Sequence, residues 1–533
     1  AAGLQAALDL ADIGVTVQLV ERSPFLAAHN DTIEIPPHLQ HTRTLEVLRH
    51  PNITVWNQTD VCQLKTDGSG FQVEIGQKPR GVDLSRCTAC GECIEVCPVT
   101  VEELDGKTPR KAIYLAGEPG CAAIDKLGKA PCASTCPGGI HVQGYVALIA
   151  QKRYAEAIQL IRQAIPFPSV CGRVCNHYCE ANCTRGKVDA PVNIMALKRF
   201  VADLAYQQRD ALPQPPIETS QATGCKIAII GAGPSGLTAA RDLVRLGHAV
   251  TVFDALPKAG GMMRVGIPPH RLPTDLLDWE IQQIIDEGVE LKLNTWVDDI
   301  PGLLEDGYDA VLIATGANKA KKLPLRNANH PDNWLSLDLL RRVCLGERID
   351  LSGRKVVVLG GGNVALDTVR TVIRLGADEV RMVCLEPRGE MPGFEWEVAV
   401  AEGEGAEVCP GRTFKEILIA DNKIVGVRCA QVNFHGMVKG RLSFDEIPHT
   451  EHTLPADLVI WAIGQEPDFS FLPHDIGFEA QTPTGIRSDE DMMTTMRGVF
   501  VAGDVHRGMT FFVIDAIGEG HKAARSIDRY LRG

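Results

Sequence analysis

The chain has 533 residues, room for three or four domains, and its formal net charge of −13 excludes a general nucleic-acid or anionic-membrane surface. Apolar residues make up 45%, ordinary for a globular protein, and no apolar run approaches the ~18 residues that span a bilayer, so membrane insertion is not expected. Of 17 cysteines, 11 fall between Cys87 and Cys183, and clustered thiols in so long a chain point to metal ligands in a reducing compartment, with the cytoplasm as default.

The first stretch, AAGLQAALDLADIGVTVQLVER, reads as an amphipathic helix running into a β-branched strand that ends in an acid. A second copy explains it. Residues 227–254 read IAIIGAGPSGLTAARDLVRLGHAVTVFD, and laying Gly236 on Gly3 brings Gly247 onto Gly14 and Asp254 onto Glu21 without a gap. The complete copy adds a strand and the turn Gly231-x-Gly233-x-x-Gly236, so residue 1 is expected to fall inside a dinucleotide fingerprint. Residues 1–80 are then a partial Rossmann-type unit, continued by a β-rich piece with a turn at Asp67-Gly68-Ser69-Gly70.

Residues 81–115 hold Cys87-Thr-Ala-Cys90-Gly-Glu-Cys93-Ile-Glu-Val-Cys97-Pro98, the C-x2-C-x2-C-x3-C-P run of bacterial ferredoxins. Three thiolates on a tight loop wrap one face of a [4Fe-4S] cubane. Zinc is the plainer alternative, but four cysteines so tightly spaced before a proline rarely bind it. Cys97 closes either this cluster or another, since the fourth Cys of such a run ligates the second cluster in two-cluster ferredoxins.

From about 140 to 206 the pattern turns helical (VQGYVALIAQKRYAEAIQLIRQAI, IMALKRFVADLAYQ), within a helical iron–sulfur domain expected over 116–206. Cys132 and Cys136-Pro137 are answered by Cys171, Cys175, Cys179 and Cys183 in CGRVCNHYCEANC. Steps of four would place the latter on one helical stripe as core packing, but the Gly and Asn interruptions and the upstream pair favour ligation. PCASTCP…GRVCNHYCEANC…PVNIMALKRF resembles the N-terminal iron–sulfur domain of the glutamate synthase small subunit, shared with dihydropyrimidine dehydrogenase and NADPH-dependent ferredoxin oxidoreductases. The resemblance implies one cluster on Cys136, Cys175 and Cys179, and another on Cys132, Cys183 and two earlier cysteines. Those two fall near 124 and 127, where this chain has Ile124 and Leu127, with Cys121 nearby but off register. Two [4Fe-4S] clusters are therefore expected in the whole chain, and a third lacks two ligands. Cys171 has no ligand role in the pattern and is assigned to packing.

After a polar linker, 207–224, the strand–helix alternation of parallel sheets runs to the end. In the complete fingerprint Gly231 makes the tight turn, Gly233 admits a pyrophosphate, Gly236 allows close helix–strand packing and Asp254 takes ribose hydroxyls. Gly260-Gly261-Met262 through Arg271-Leu272-Pro273 resembles the family's GG…IPxxRLP segment, which implies that Gly261, Met262 and Arg271 lie along the flavin of FAD. Ala314-Thr315-Gly316 closes the first part of the FAD domain, 225–350. Its second part, 455–533, carries Val499-Phe500-Val501-Ala502-Gly503-Asp504, where the family's Asp holds the ribityl chain. AIGEGHKAA, from Ala516 to Ala524, then starts a helix whose dipole would stabilise negative charge on reduced flavin. An Asp after a strand can also simply cap a turn.

Between these parts, 351–454 carries Gly360-x-Gly362-Asn363-x-Ala365, the expected nicotinamide turn. NADPH-using relatives place Tyr-Arg-Arg at the end of the next strand; here stands Cys384-Leu385-Glu386. A carboxylate accepts from ribose hydroxyls and repels a 2′-phosphate, so NADH is favoured, with Arg388 keeping NADPH open.

The front, GVDLSRCTACGECIEVCPVTVEE…KTPRKAIYL with the partial unit, resembles the start of the flavin-bearing chain of heterodisulfide reductase, a component of electron-bifurcating complexes. It departs in LAAHNDTIEIPPHLQHTRTLEVLRHPNI, which lacks the family's cysteines. The expected architecture is α/β: a two-dinucleotide-binding flavoprotein, its FAD domain interrupted by an NAD(P) domain. A helical iron–sulfur domain, a ferredoxin-like insert and a truncated FAD-like unit precede it. The expected function is oxidoreduction between NAD(P)H and a partner protein or subunit through FAD and [4Fe-4S] clusters, with no catalytic side chain singled out because the cofactors carry the chemistry. No Cys-x-x-Cys or Cys-x4-Cys pair lies in the flavin module, which disfavours dithiol chemistry. The alternatives are the flavin component of a bifurcating, heterodisulfide-reductase-like complex and an electron relay with a silent nicotinamide site.

Overall fold

The computed structural model describes residues 2–23, 25–26, 37–66, 70–77, 81–83, 86–95, 97, 100–102, 109–116, 121–124, 130–209, 220–438, 441–472, 485–506 and 511–533. Residues 67–69 of the expected turn, Pro98, Leu127 and 210–219 of the linker lie outside the described residues. The chain divides into two compact units, Ala1–Lys129 and Ala130–Gly533.

In the first unit, helix Ala2–Asp12 buries Leu4, Ala7, Leu8 and Ala11, the stripe of an amphipathic helix. Strand Val17–Glu21 follows, parallel to Ile53–Asn57, and then the antiparallel pair Thr59–Thr66 and Phe71–Gln77. Two short hairpins close the unit, Thr100–Glu102 with Pro109–Lys111 and Ile113–Ala116 with Cys121–Ile124. Ile124, where the resemblance asks for a cysteine, ends the last strand.

The second unit begins with short helices. Pro168–Val174 contains Cys171, Cys175 is its C-cap, Cys179 lies in Tyr178–Ala181, and Cys183 precedes a 3₁₀ turn. The steps of four therefore do not form one stripe: the helix breaks after Val174, and His177 sits in the left-handed region at φ 44°.

Two five-stranded parallel sheets follow. The first runs Glu290–Lys292, Ala249–Phe253, Lys226–Ile230, Ala310–Ile313, Val499–Val501. The second runs Asn333–Leu335, Leu458–Trp461, Lys355–Leu359, Glu379–Val383, Glu407–Cys409. Strands Lys319–Ala320 and Gln465–Glu466 pair where the chain leaves the first sheet's domain and returns, so the second dinucleotide fold is inserted in the first. The central strands are apolar and buried after their first residue, as parallel strands covered on both faces must be. One apolar core joins the helical segment (Tyr145, Phe167, Ile194) to the first sheet and its helices (Leu237, Phe500, Ile517). No described helix is long and apolar enough to cross a membrane.

Candidate functional site: a two-dinucleotide cavity beside cysteine loops

The first glycine turn is built as its sequence requires. Gly231 has φ 111°, and a Cβ there would lie 2.4 Å from the Ala314 carbonyl oxygen. A Cβ on Gly236 would lie 2.0 Å from the Gly231 carbonyl oxygen, so helix Pro234–Arg245 reaches its strand only through glycine. Asp254 accepts from the Ala232 amide at 2.7 Å and the Leu256 amide at 2.8 Å, which aims the acid at the turn.

A cavity of about 360 Å³ opens at this turn and gathers most of the expected flavin residues. Gly231, Gly233 and Asp254 line it, with Gly261, Met262 and Arg271 from the next segment. Thr315, Gly503, Asp504 and Ala516 complete it from the far side. Ala516 lies in the first turn of helix Val513–Arg532, which starts three residues earlier than the sequence suggested, so the helix N-terminus faces the cavity as expected. Gly236 is spent on packing and does not line it. The wall also holds buried polar atoms without a hydrogen-bond partner: Ser235 Oγ, Arg271 Nε, Thr315 Oγ1 and Asp504 Oδ1. Each such atom costs about 1–3 kcal/mol unless something polar meets it, and the hydroxyls and phosphates of FAD fit that need. Burial pushes the Asp504 carboxyl up to about 7, Glu519 and Asp515 adding to the rise. Glu519, which sequence reasoning missed, accepts from the Gly503 amide at 2.9 Å and lies 2.8 Å from His506 Nδ1, fixing the turn that presents Asp504.

The inserted domain contributes Asn363 and Asp367 to the same cavity. Its turn repeats the first, since Gly360 has φ 134° and a Cβ there would lie 2.2 Å from the Ala462 carbonyl oxygen. Gly362 faces open space, and Ala365 is buried under the helix. Glu386, 9% exposed, places a carboxylate oxygen 3.3 Å from where a Cβ on Gly361 would stand. Arg388 is held by Glu402, at 2.6 and 2.8 Å. Gly360, Gly362, Ala365 and Glu386 lie outside the flavin cavity, on the inserted domain's own turn.

Arg271 does more than line the cavity. Its Nη1 donates to Asp367 at 2.6 Å and its Nη2 to Glu397, both carboxylates of the inserted domain. Burial pushes the Asp367 carboxyl up to about 6 and that of Glu397 up to about 7, the guanidinium pulling both the other way. Arg271→Met should cost about 3–5 kcal/mol at pH 8, because two buried charges lose their partner. The penalty should shrink at pH 5. Without the guanidinium both carboxyls rise further, so the variant binds protons the wild type does not as pH falls through that range, and protonation removes the uncompensated charge. Denaturation at the two pH values reads this; an equal penalty at both would contradict it.

One cysteine-bearing segment of the second unit reaches the flavin wall, and another packs on the helix that closes it. Val174, which lines the cavity, is followed directly by Cys175. Gly518 of helix Val513–Arg532 lies against the loop after Cys136, where a Cβ would stand 2.8 Å from the Pro137 carbonyl oxygen. Tyr178 Oη donates to Asp515 at 3.1 Å. His177 stacks on Phe394 at 5.9 Å between centroids, and Phe394 stacks on Phe512 at 6.4 Å, both phenylalanines lining the cavity. Phe394 is itself anchored by its amide to Asn363 Oδ1 at 3.0 Å.

Cys136, Cys175 and Cys179 lie within each other's fields, together with Cys171, whereas Cys132 feels Cys183. Burial pushes the Cys179 thiol up to about 12 and raises that of Cys175, while the Lys198 ammonium lowers both. Among the described residues no three His, Cys, Asp or Glu side chains converge tightly enough for a single metal ion. A cubane needs no such point, since each thiolate binds its own iron corner. In the first unit, Cys87 and Cys90 precede the short helix Glu92–Glu95, Cys93 lies in it and Cys97 follows it; the Ala122 amide donates to Cys87 Sγ at 3.4 Å, and Ala89 and Gly91 turn through positive φ. Cys90 is exposed and Cys97 buried. These donors suit a [4Fe-4S] group.

Two dinucleotide folds meeting at one cavity, with a cysteine-bearing segment reaching its wall at Val174, define an NAD(P)-linked flavoprotein reductase with an iron–sulfur module. The chain belongs to the pyridine nucleotide-disulphide oxidoreductase family, which it matches over residues 225–524. It also matches dihydropyrimidine dehydrogenase domain II with its 4Fe-4S cluster over 121–210, and a 4Fe-4S binding domain over 81–101. The NADPH-Fe(3+) oxidoreductase subunit beta of Geobacter sulfurreducens is 36% identical over 442 residues, 76% of this chain and 64% of that protein. The chain thus spans a little under two thirds of that relative. The glutamate synthase [NADPH] small chain of Azospirillum brasilense is 33% identical over 420 residues, 75% of this chain and 86% of that one. Among solved structures, Mycobacterium tuberculosis FprA in complex with NADPH aligns with a TM-score of 0.50 at 19% identity, covering 58% of this chain and 84% of that one, a likeness of fold alone.

Proposed function

We propose that this chain is an iron–sulfur flavoprotein subunit that oxidises NADH and delivers electrons, through the cluster on Cys136, Cys175 and Cys179, to a partner protein in the cytoplasm. The observation that carries it is that Val174, which lines the flavin cavity, is followed directly by Cys175, while the loop after Cys136 packs on Gly518 of the helix whose first turn lines the same cavity. When bound, FAD would supply two-electron exchange with nicotinamide and [4Fe-4S] clusters one-electron transfer, chemistry that no side chain here supplies. The protein's own residues bind and orient. Gly231 and Gly233 admit a pyrophosphate, Asp254 and Asp504 take hydroxyls, and the N-terminus of helix Val513–Arg532 favours negative charge at the cavity's inner end. Arg271, bridged to Asp367 and Glu397, holds the nicotinamide fold against that cavity. Partner delivery is supported by relatives named as beta or small subunits.

NADH rather than NADPH is supported by Glu386, whose carboxylate stands at the second glycine turn while Arg388 is occupied by Glu402. This departs from the NADPH in those relatives' names. The pure protein should use NADH with at least roughly tenfold higher kcat/KM, and Glu386→Ser should narrow the gap by about tenfold, or 1.4 kcal/mol. A clear NADPH preference would end this part of the proposal. The delivery reading is tested by purifying the native complex: a redox subunit bound stoichiometrically supports it, and a chain that reduces its flavin with NADH yet passes no electron to any co-purified protein overturns it.

A further inference from the structure

Helix Ile194–Gln207 buries Ile194, Val201, Ala202 and Ala205, and on the same stripe it buries Lys198, 3% exposed. A charge in an apolar core must be paired, and the usual partner is a carboxylate. Among the described residues Lys198 has none. Its electrostatic neighbours are the thiols of Cys175, Cys171 and Cys179, the phenol of Tyr145, which itself feels Cys136, and the His177 ring. Packing fixes this placement. Gly172 lies against Arg199, where a Cβ would stand 2.7 Å from the Arg199 Cα. Glu180 accepts from the Met195 amide at 2.7 Å, and Tyr145 Oη donates to the Ile194 carbonyl at 3.3 Å. The helix is thereby tied to both cysteine-bearing segments, with Lys198 between them.

We propose that Lys198 is the counter-ion of an anionic [4Fe-4S] cluster on Cys136, Cys175 and Cys179, a fixed positive charge that makes this cluster easier to reduce. The inference rests on the cluster assignment made above. A thiolate-ligated cubane is negatively charged, and its reduction adds one electron and no proton. A buried cation beside it offsets that added charge where water cannot. Lys198 is thus a positioning residue for charge, not a ligand. Cys171, which the sequence assigned to packing, faces the same ammonium.

The test is an EPR-monitored dithionite titration of the intact chain as wild type, Lys198→Met and Lys198→Arg, with iron and acid-labile sulfide measured on each sample. Lys198→Met, close in shape but uncharged, should make one cluster at least tenfold harder to reduce, ~59 mV for one electron, with Lys198→Arg near wild type and the remaining clusters unmoved. Loss of one cluster's iron in Lys198→Met but not in Lys198→Arg would support the same role, since only charge separates them. An unmoved midpoint in iron-replete Lys198→Met, or equal iron loss in both variants, overturns it. Cys175→Ala separates the two levels: if it keeps the full wild-type iron content, the cluster assignment itself has failed.

Discussion

Gly236→Ala is expected to emerge from purification with little or no flavin. The added methyl would stand 2.0 Å from the Gly231 carbonyl oxygen and 3.2 Å from the Ile229 side chain, in a helix already buried against its strand. Overpacking costs about 1–3 kcal/mol when side chains can yield, but here the obstacle is the backbone of the phosphate turn itself. Relief requires the turn to move, which withdraws the amides and glycine faces that a pyrophosphate needs. Flavin binding should weaken by about 100-fold or more, near 2.8 kcal/mol. The absorbance ratio at 450 and 280 nm checks it. A variant with one FAD per chain and ordinary NADH bleaching would show that this turn is not the flavin site.

Cys175→Ala should lose about four irons per chain and one reduced-cluster EPR signal while keeping its FAD. Cys175 ends helix Pro168–Val174 and adjoins the flavin wall, so the loss should strike the cluster nearest the cavity and leave the glycine turns intact. Cys171→Ala is the contrast. That thiol is fully buried inside the same helix, its pKa raised by burial first, and its removal should cost stability through a small cavity while iron stays unchanged. Equal iron loss in both variants would give Cys171 a ligand's role; no loss in either would remove Cys175 from the cluster.

Features whose function is local in the chain were legible in the sequence. The glycines of a dinucleotide turn and the acid at the end of the next strand lie within one βαβ unit, so Gly231, Gly233 and Asp254 could be placed at one cavity before any fold was known. The cysteine groupings rested on the family resemblance; in the structure Cys132 feels Cys183, while Cys136, Cys175 and Cys179 share one neighbourhood with Cys171. Features made by distant packing were not legible. Arg271 was placed along the flavin, but its partners Asp367 and Glu397 stand on an inserted domain, 96 and 126 residues away. Phe394 joins His177 to Phe512 only because three segments meet at the cavity, and nothing in its neighbourhood in the chain announces that. Lys198 did carry a signal. It occupies an apolar-stripe position of an amphipathic helix, where a charge demands a buried partner.

The central claim is that nicotinamide, flavin and the cluster beside Val174 share one electron path. Its most direct measurement mixes the anaerobic wild-type chain with NADH, freezes the sample at intervals, and follows flavin absorbance and cluster EPR together. Bleaching of the flavin accompanied by the rise of a reduced-cluster signal is expected, with Cys175→Ala bleaching but showing no such rise. A flavin untouched by NADH, or one that bleaches while every cluster stays oxidised, would contradict the account.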